Sequence, residues 1–284
     1  MFRWLRRFRW VLERDVPRLR GLEVLVHYQT MLSLDQYVDA LRNQPRSREP
    51  LRLLAHESQC FSQHGEDGAI AEILRRIGVE QKTFLEIGAG DGLENNTASL
   101  LLQGWSGWWV EKKASPAFSA NCRRHVAAGQ LKIIAEEVRE DNFQRLIKDA
   151  NVPAVVDVLS LDIDRHTYWL WKWCRDLRSR VVVVEYNPSF PPPVEWVAEY
   201  APERSWNGTI YYGASLASLE KLGAELGYCL VGCDLSGTNA YFVRADLCSP
   251  EKFAAPFSAA NHYEPARLYL AHRWGANHRR GLEG

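Results

Sequence analysis

Two glutamates, Glu86 and Glu111, close two short apolar runs and bracket a turn with glycine at alternate positions, Gly88, Gly90 and Gly92. Acids in this arrangement can handle a nucleoside. A carboxylate at the end of the second strand of a βαβ unit can accept hydrogen bonds from two ribose hydroxyls, and Glu111 holds that position. A dinucleotide fingerprint, G-x-G-x-x-G, sets its third glycine for close helix packing and holds a pyrophosphate at the helix N-terminus. Here the third glycine comes one residue early, and Leu93 stands at the dinucleotide position. Glu86 also puts a negative charge beside the turn, which would repel a pyrophosphate but attract the ammonium and sulfonium charges of S-adenosylmethionine. A methyl donor therefore suits the stretch better than NAD.

A second group of oxygen-bearing side chains follows at two later strand ends. Asp162 and Asp164 close Leu159–Asp164, and Glu185 and Asn187 close Val181–Asn187. Ligands of an open parallel sheet sit beyond the carboxyl ends of its strands, so these four side chains are expected to converge on the donor pocket. Two chemistries are open to them. Asp162, Asp164, Glu185 and Asn187 can hold magnesium or manganese, hard cations that bind vicinal hydroxyls and lower the pKa of an acceptor. Without a metal, Asp162 binds the amino group of the donor, and a general base must take the hydroxyl proton; His166 or His64 suits that task by intrinsic pKa.

The elements that position these groups are legible from hydrophobic pattern. Thr83–Ile87 and Trp108–Glu111 read as buried parallel strands, and Asn95-Asn96-Thr97 caps a helix continued by Ala98–Leu102. Strands are also expected at Leu131–Glu136, Val155–Ile163 and Val181–Asn187, with helices around 118–128, 141–150 and 213–226. Glu136 or Glu137 then faces the adenine edge. Tyr228–Leu235 and Ala240–Ala245 form a hairpin around Ser236-Gly237-Thr238-Asn239. Ahead of the first strand, Ser62–Gly68 is a dense polar segment whose side chains can close over the donor or the acceptor, or simply begin the helix Ala69–Ile77. The proline run Pro191–Pro193 excludes regular helix and central strand, and implies a rigid loop on the acceptor side.

The chain has 284 residues and equal numbers, 35 each, of basic and acidic residues, a balance that argues against a general nucleic-acid binder. Its six cysteines include no C-x-x-C pair, which suits free thiols in a reducing cytosol, and no apolar run is long enough to span a membrane. Residues 1–20 hold seven arginines against two acids, with Phe2, Leu5, Phe8, Leu12, Val16 and Leu19 at helical spacing. Such a helix can lie on an anionic membrane, on its own domain or on a sister subunit, and Pro17 is expected to shorten it. A second helix is expected at Ser33–Leu41, and Asn43–Pro50 reads as a boundary. The divisions are thus a helical extension at 1–55, an α/β domain at 56–248 and a tail at 249–284.

Taken together, Ser62–Gly68, Glu86–Thr97, Leu159–Asp164, Glu185-Tyr186-Asn187 and Gly227–Arg244 resemble the FkbM-like group of S-adenosylmethionine-dependent methyltransferases. The resemblance covers roughly Cys60–Asp246. It implies a Rossmann-like class I methyltransferase fold, with a mostly parallel seven-stranded sheet ending in an antiparallel hairpin, and O-methylation of sugars or other small hydroxylated acceptors; the leading expectation is a cytoplasmic enzyme acting on a sugar or glycan-precursor hydroxyl. Gly88, Gly90 and Glu111 match its donor-binding positions, and the expected donor set adds Gln63, Glu86, Asn95, Asn96, Glu136 and Asp162. Asp162, Glu185 and Asn187 resemble in placement the metal ligands of catechol-type methyltransferases. Arg165-His166 replaces a glycine expected in the group. A rival expectation is a non-catalytic donor-binding scaffold, held by the basic N-terminus at the inner face of the membrane within a glycan assembly complex.

Overall fold

The computed structural model describes residues 2–273, with side chains described over 21–270 apart from 117. Seven strands form one sheet: β1 Thr83–Ile87, β2 Ser106–Glu111, β3 Leu131–Ala135, β4 Val155–Leu161, β5 Arg178–Glu185, β6 Tyr228–Cys233 and β7 Asn239–Arg244. Their order is β3-β2-β1-β4-β5-β7-β6. The first five are mutually parallel, and β7 runs antiparallel to both β5 and β6. This is a Rossmann-like α/β fold, a mostly parallel seven-stranded sheet ending in a C-terminal antiparallel hairpin.

Helices cover both faces, so the central strands are apolar on both sides rather than alternating with polar residues. Leu85, Ile87, Val182 and Val184 point into one core with α6 (Phe143–Asp149), α7 (Thr167–Trp173) and α8 (Leu216–Glu225). Phe84, Val158, Val181 and Val183 point into the other, with α2 (Glu66–Ile77) and α3 (Ala98–Leu102). Between β2 and β3 the expected single helix is two short ones, α4 (Pro116–Asn121) and α5 (Arg123–Ala127). The aromatic cluster after β4 is chiefly core: Trp171 is buried against Phe242 and Tyr228. The segment after β7 packs on the domain through fully buried Phe253 and the short helix α9 (Ala259–His262), and Glu264 accepts a hydrogen bond from Tyr186 through its carbonyl.

The N-terminal extension is one continuous helix, α1 (Phe2–Arg42), rather than two, and it passes through position 17 unbroken. Its final turns dock through Val38 and Leu41 on Leu54, Leu235 and Leu270. Upstream, Leu22, Val24, Leu25, Val26, Tyr28 and Leu32 are exposed. The side chains of the basic stretch 1–20 lie outside those described. No helix among the described residues is long and apolar enough to cross a membrane, and all six cysteines are free.

The backbone just past the end of β4 closes on the turn that follows its parallel neighbour β1. Gly88 has φ +94°, and a Cβ there would lie 1.6 Å from the carbonyl oxygen of Asp162. Gly90, at φ +59°, has nothing within 4 Å of such a position. Gly88→Ala should therefore cost about 3 kcal/mol through strain and backbone displacement. Gly90→Ala should cost only about 1–2 kcal/mol, the ordinary penalty of a left-handed residue. Urea unfolding of the two variants checks the difference, and equal losses would contradict the close approach at Gly88.

Candidate active site

The carboxyl ends of β1, β2 and β4 open into a cavity of about 480 Å³. That volume falls within the roughly 300–1,000 Å³ of small-molecule sites. Its wall includes Gln63, His64, Glu86, Gly88, Gly90, Asn95, Asn96, Glu111, Glu136, Asp162, Asp164 and His166. Two of the residues expected at the site, Glu185 and Asn187, do not line it.

Glu86 is the most heavily bonded group there. Its Oε1 accepts from the Asn96 N–H at 2.8 Å and from Ser160 Oγ at 3.2 Å. Its Oε2 accepts from Asn95 Nδ2, Thr97 Oγ1 and the Thr97 N–H at 2.7, 2.5 and 3.1 Å. Burial raises its pKa, and these donors oppose the rise. With both oxygens engaged inside the protein, Glu86 shapes the turn instead of meeting the sulfonium directly, which corrects the role expected from its position.

Glu111 takes a hydrogen bond from the Gly90 N–H to Oε2 at 2.8 Å, and among the described residues its Oε1 has no hydrogen-bond partner. It is thus aimed across the glycine turn with an acceptor to spare. Asn95 is buried and donates to Glu86, but its Oδ1 has no partner. Asn96 is tied to Ser160 by Nδ2 at 3.0 Å. Gln63 spans the cavity rim to Glu94, with Nε2 donating at 2.9 Å, so it bridges two loops. Glu136 gives Oε1 to Arg145 and Asn142, and Glu137 pairs with Lys112 and Arg139. The acids expected at the adenine edge are therefore occupied by cations, while Val138 supplies an apolar wall beside them.

Asp162 opens on the cavity yet has protein around it on most sides. Burial chiefly, and then the neighbouring Asp164 charge, push its pKa up to about 6. Asp164 stands at φ +55°, has no side-chain hydrogen bond among the described residues, and burial raises its pKa as well. The expected bases fare differently. His166 Nε2 accepts the Ala201 N–H at 3.3 Å, which puts the ring proton on Nδ1 and leaves no lone pair to receive a substrate proton. Burial, then Arg165, also lowers its pKa. His64 keeps a buried Nδ1 with no partner.

The metal expectation does not fit. Among the described residues no three His, Cys, Asp or Glu side chains are grouped to hold an ion. Asn187 is fully buried, with Nδ2 donating to the carbonyls of Ile210 and Tyr212 and Oδ1 accepting the Ser189 N–H. Its amide is a loop fastener, not a ligand. Glu185 does not line the cavity, and burial, then the charges of Asp162 and Asp164, push its pKa well up.

Three contributors were not singled out from sequence. Glu66, in the first turn of α2, accepts Asn239 Nδ2 at 2.6 Å and the His64 N–H at 2.7 Å. Asn239 opens β7 and lines the cavity; Arg165 lines it too, with its guanidinium 4.8 Å from the Tyr211 ring. Glu66 falls inside the polar segment already noted, but nothing in the sequence shows that Asn239 turns inward.

Neither a scan against family models nor a search of curated proteins gave a match. Among solved structures the chain is similar to the pyocyanin biosynthetic protein PhzM, with 14% identity and a TM-score of 0.37 over 62% of this chain and 54% of that one. The chain therefore spans about half the length of that protein.

The raised pKa of Asp162 has a thermodynamic sign. A carboxyl held above its ordinary value binds its proton more tightly folded than unfolded, so its charge destabilises the fold progressively as pH rises from about 4 to about 6. Asp162→Asn should melt higher than the wild type at pH 7.5, with the gap narrowing towards pH 5. Thermal melts at the two pH values test this, and a gap constant with pH would contradict it.

Proposed function

We propose that the protein is an S-adenosylmethionine-dependent O-methyltransferase acting on a hydroxyl of a sugar or glycan precursor. The observation that carries the reading is the pairing of Glu111 with Gly90: a carboxylate fixed at one oxygen by the glycine turn and free at the other, beside a cavity at the carboxyl ends of the parallel strands. The donor set fits the ligand on this chain's own atoms. Glu111 Oε1 can accept ribose hydroxyls, the open space at Gly90 lets the ligand approach the backbone, and the unpaired Asn95 Oδ1 can accept an ammonium.

S-adenosylmethionine, when bound, supplies a methyl carbon on a positively charged sulfur. The methyl passes to the acceptor oxygen, the C–S electron pair stays on sulfur to give S-adenosylhomocysteine, and the hydroxyl proton goes to the protein. Asp162 is suited to take that proton, because a pKa of about 6 keeps it mostly ionised at neutrality yet more basic than an ordinary aspartate. His64 is the other base within the wall. Glu86 acts as a positioning residue through Asn95, Asn96 and Thr97.

Calorimetry with S-adenosylhomocysteine tests the proposal. Binding to the wild type is expected, with about a 10–100-fold loss in Glu111→Ala, the scale of one or two net hydrogen bonds. Absence of binding to folded protein would end the reading. Asp162→Asn should bind S-adenosylhomocysteine and lose roughly 100-fold or more in turnover, as removal of a general base does.

A further inference from the structure

The helix that precedes the domain turns its apolar side away from it. Along α1 the positions of reduced exposure are His27, Met31, Leu34, Val38 and Leu41, a row at spacings of three and four whose last members pack on Leu54, Leu235 and Leu270. That row faces the domain. Leu22, Leu25 and Leu32 stand on the opposite side, flanked by Val26 and Tyr28, and all five are more than half exposed, Leu25 at 66%. Between residues 21 and 34 the sequence carries a single Asp, Glu, Lys or Arg, Glu23. A contiguous exposed apolar face of this kind marks an interaction site.

The polar side chains of the same stretch are turned back on the helix. Thr30 Oγ1 donates to the Val26 carbonyl at 2.8 Å, Ser33 Oγ to the Gln29 carbonyl at 2.9 Å, and Gln29 Nε2 to Ser33 Oγ at 3.4 Å. These bonds lower the cost of taking the segment out of water. The charge upstream then selects what covers the face. Residues 1–20 carry seven arginines against Glu13 and Asp15 within the same continuous helix, and helical spacing carried back from Leu25 meets Arg18, Arg14 and Arg7 in the sequence. A second copy aligned in parallel along this helix would set arginine against arginine. An anionic lipid surface matches both halves, with headgroup charge for the arginines and an acyl boundary for the leucines. The stretch 21–34 covers about 21 Å as helix, short of the roughly 30 Å of a hydrocarbon core, and no described helix is apolar enough to cross one.

We propose that α1 docks the protein on an anionic lipid surface, lying in the plane of the interface with Leu22, Leu25 and Leu32 toward the acyl boundary and the arginine-rich stretch among the headgroups.

Co-sedimentation of the full chain with vesicles tests this. Vesicles of phosphatidylcholine and phosphatidylglycerol in equal parts should bind it at least about 10-fold more tightly than phosphatidylcholine alone, and the difference should shrink as salt is raised. Leu22→Gln, Leu25→Gln and Leu32→Gln together keep helix propensity and should weaken binding to the anionic vesicles at least about 10-fold. Since these positions are exposed, the melting temperature should stay within about 2 °C. Arg7→Gln, Arg14→Gln and Arg18→Gln together should weaken binding to the anionic vesicles at least about 5-fold and leave the neutral ones unchanged. Equal binding to the two vesicles, binding to neither, or anionic binding that the leucine substitutions leave intact would overturn the proposal. A dimer in sedimentation equilibrium that the leucine substitutions dissolve, in protein that vesicles do not bind, would give the face to a second copy instead.

Discussion

The carboxylate of Glu86 is the constraint on which the rest of the site depends. It is almost wholly removed from solvent, so its charge is tolerable only because five donors converge on it. Those donors come from three consecutive residues after the glycine turn and from Ser160 on β4. One side chain thereby fixes the path from β1 to α3 and ties that path to the adjacent strand. Thr97 extends the network by accepting the indole N–H of Trp109 on β2 at 2.8 Å. Three neighbouring strands are thus joined at the level where the cavity begins. With Glu86 satisfied internally, Asp162, Asp164 and Glu111 are among the acids left to face the ligand space.

The sheet acts as a delivery device, and period-two alternation decides what is delivered. Glu86, Ser160 and Glu185 share the face of Phe84, Val158 and Val183, the face packed by α2. The parallel strands contribute their last residues. The antiparallel β7 contributes its first, Asn239, because its N-terminal end pairs with the end of β5. Asp234 holds that turn, accepting the backbone N–H groups of Thr238 and Asn239. A reversed strand at the edge of the parallel set therefore adds an amide to the cavity wall that another parallel crossover would not.

Much of this was legible in the sequence where a residue's role follows from its own segment. The run Thr83–Ile87 reads as a strand because both faces are apolar, and the hairpin follows from its turn chemistry. The strands' carboxyl ends then name Asp162 and Asp164 as cavity residues. What failed depended on partners far away in the chain. Asn187 could not be separated from a metal ligand, because the carbonyls it binds belong to residues 210 and 212. His166 lost its role to a backbone N–H at 201, and Glu86 to the density of donors folded around it. A spacing rule sees none of these. The unbroken α1 likewise outlasted an isolated proline, whose cost of about 3 kcal/mol is local and can be outweighed along a long helix.

The segment between β5 and α8 shows how a loop can be specific without being loose. Asn187 binds its far end, Arg165 reaches carbonyls at 199 and 211, and Trp169 donates to the Ala198 carbonyl at 2.8 Å. Phe190 and Trp196 stack within it at 4.3 Å between ring centroids. The loop is therefore held from the strand ends and from α7, the same elements that set the positions of Asp162 and Glu185. Tyr212 belongs to this loop and is fastened by its carbonyl to Asn187, and the charges of Glu185, Asp162 and Asp164 act on its phenol after burial. The loop and the strand ends that carry these acids are consequently tied together by one small set of hydrogen bonds. Arg165-His166 gains its meaning from that coupling: two polar residues at the end of β4 fasten the loop that closes the cavity, one by its guanidinium and the other by accepting the Ala201 N–H.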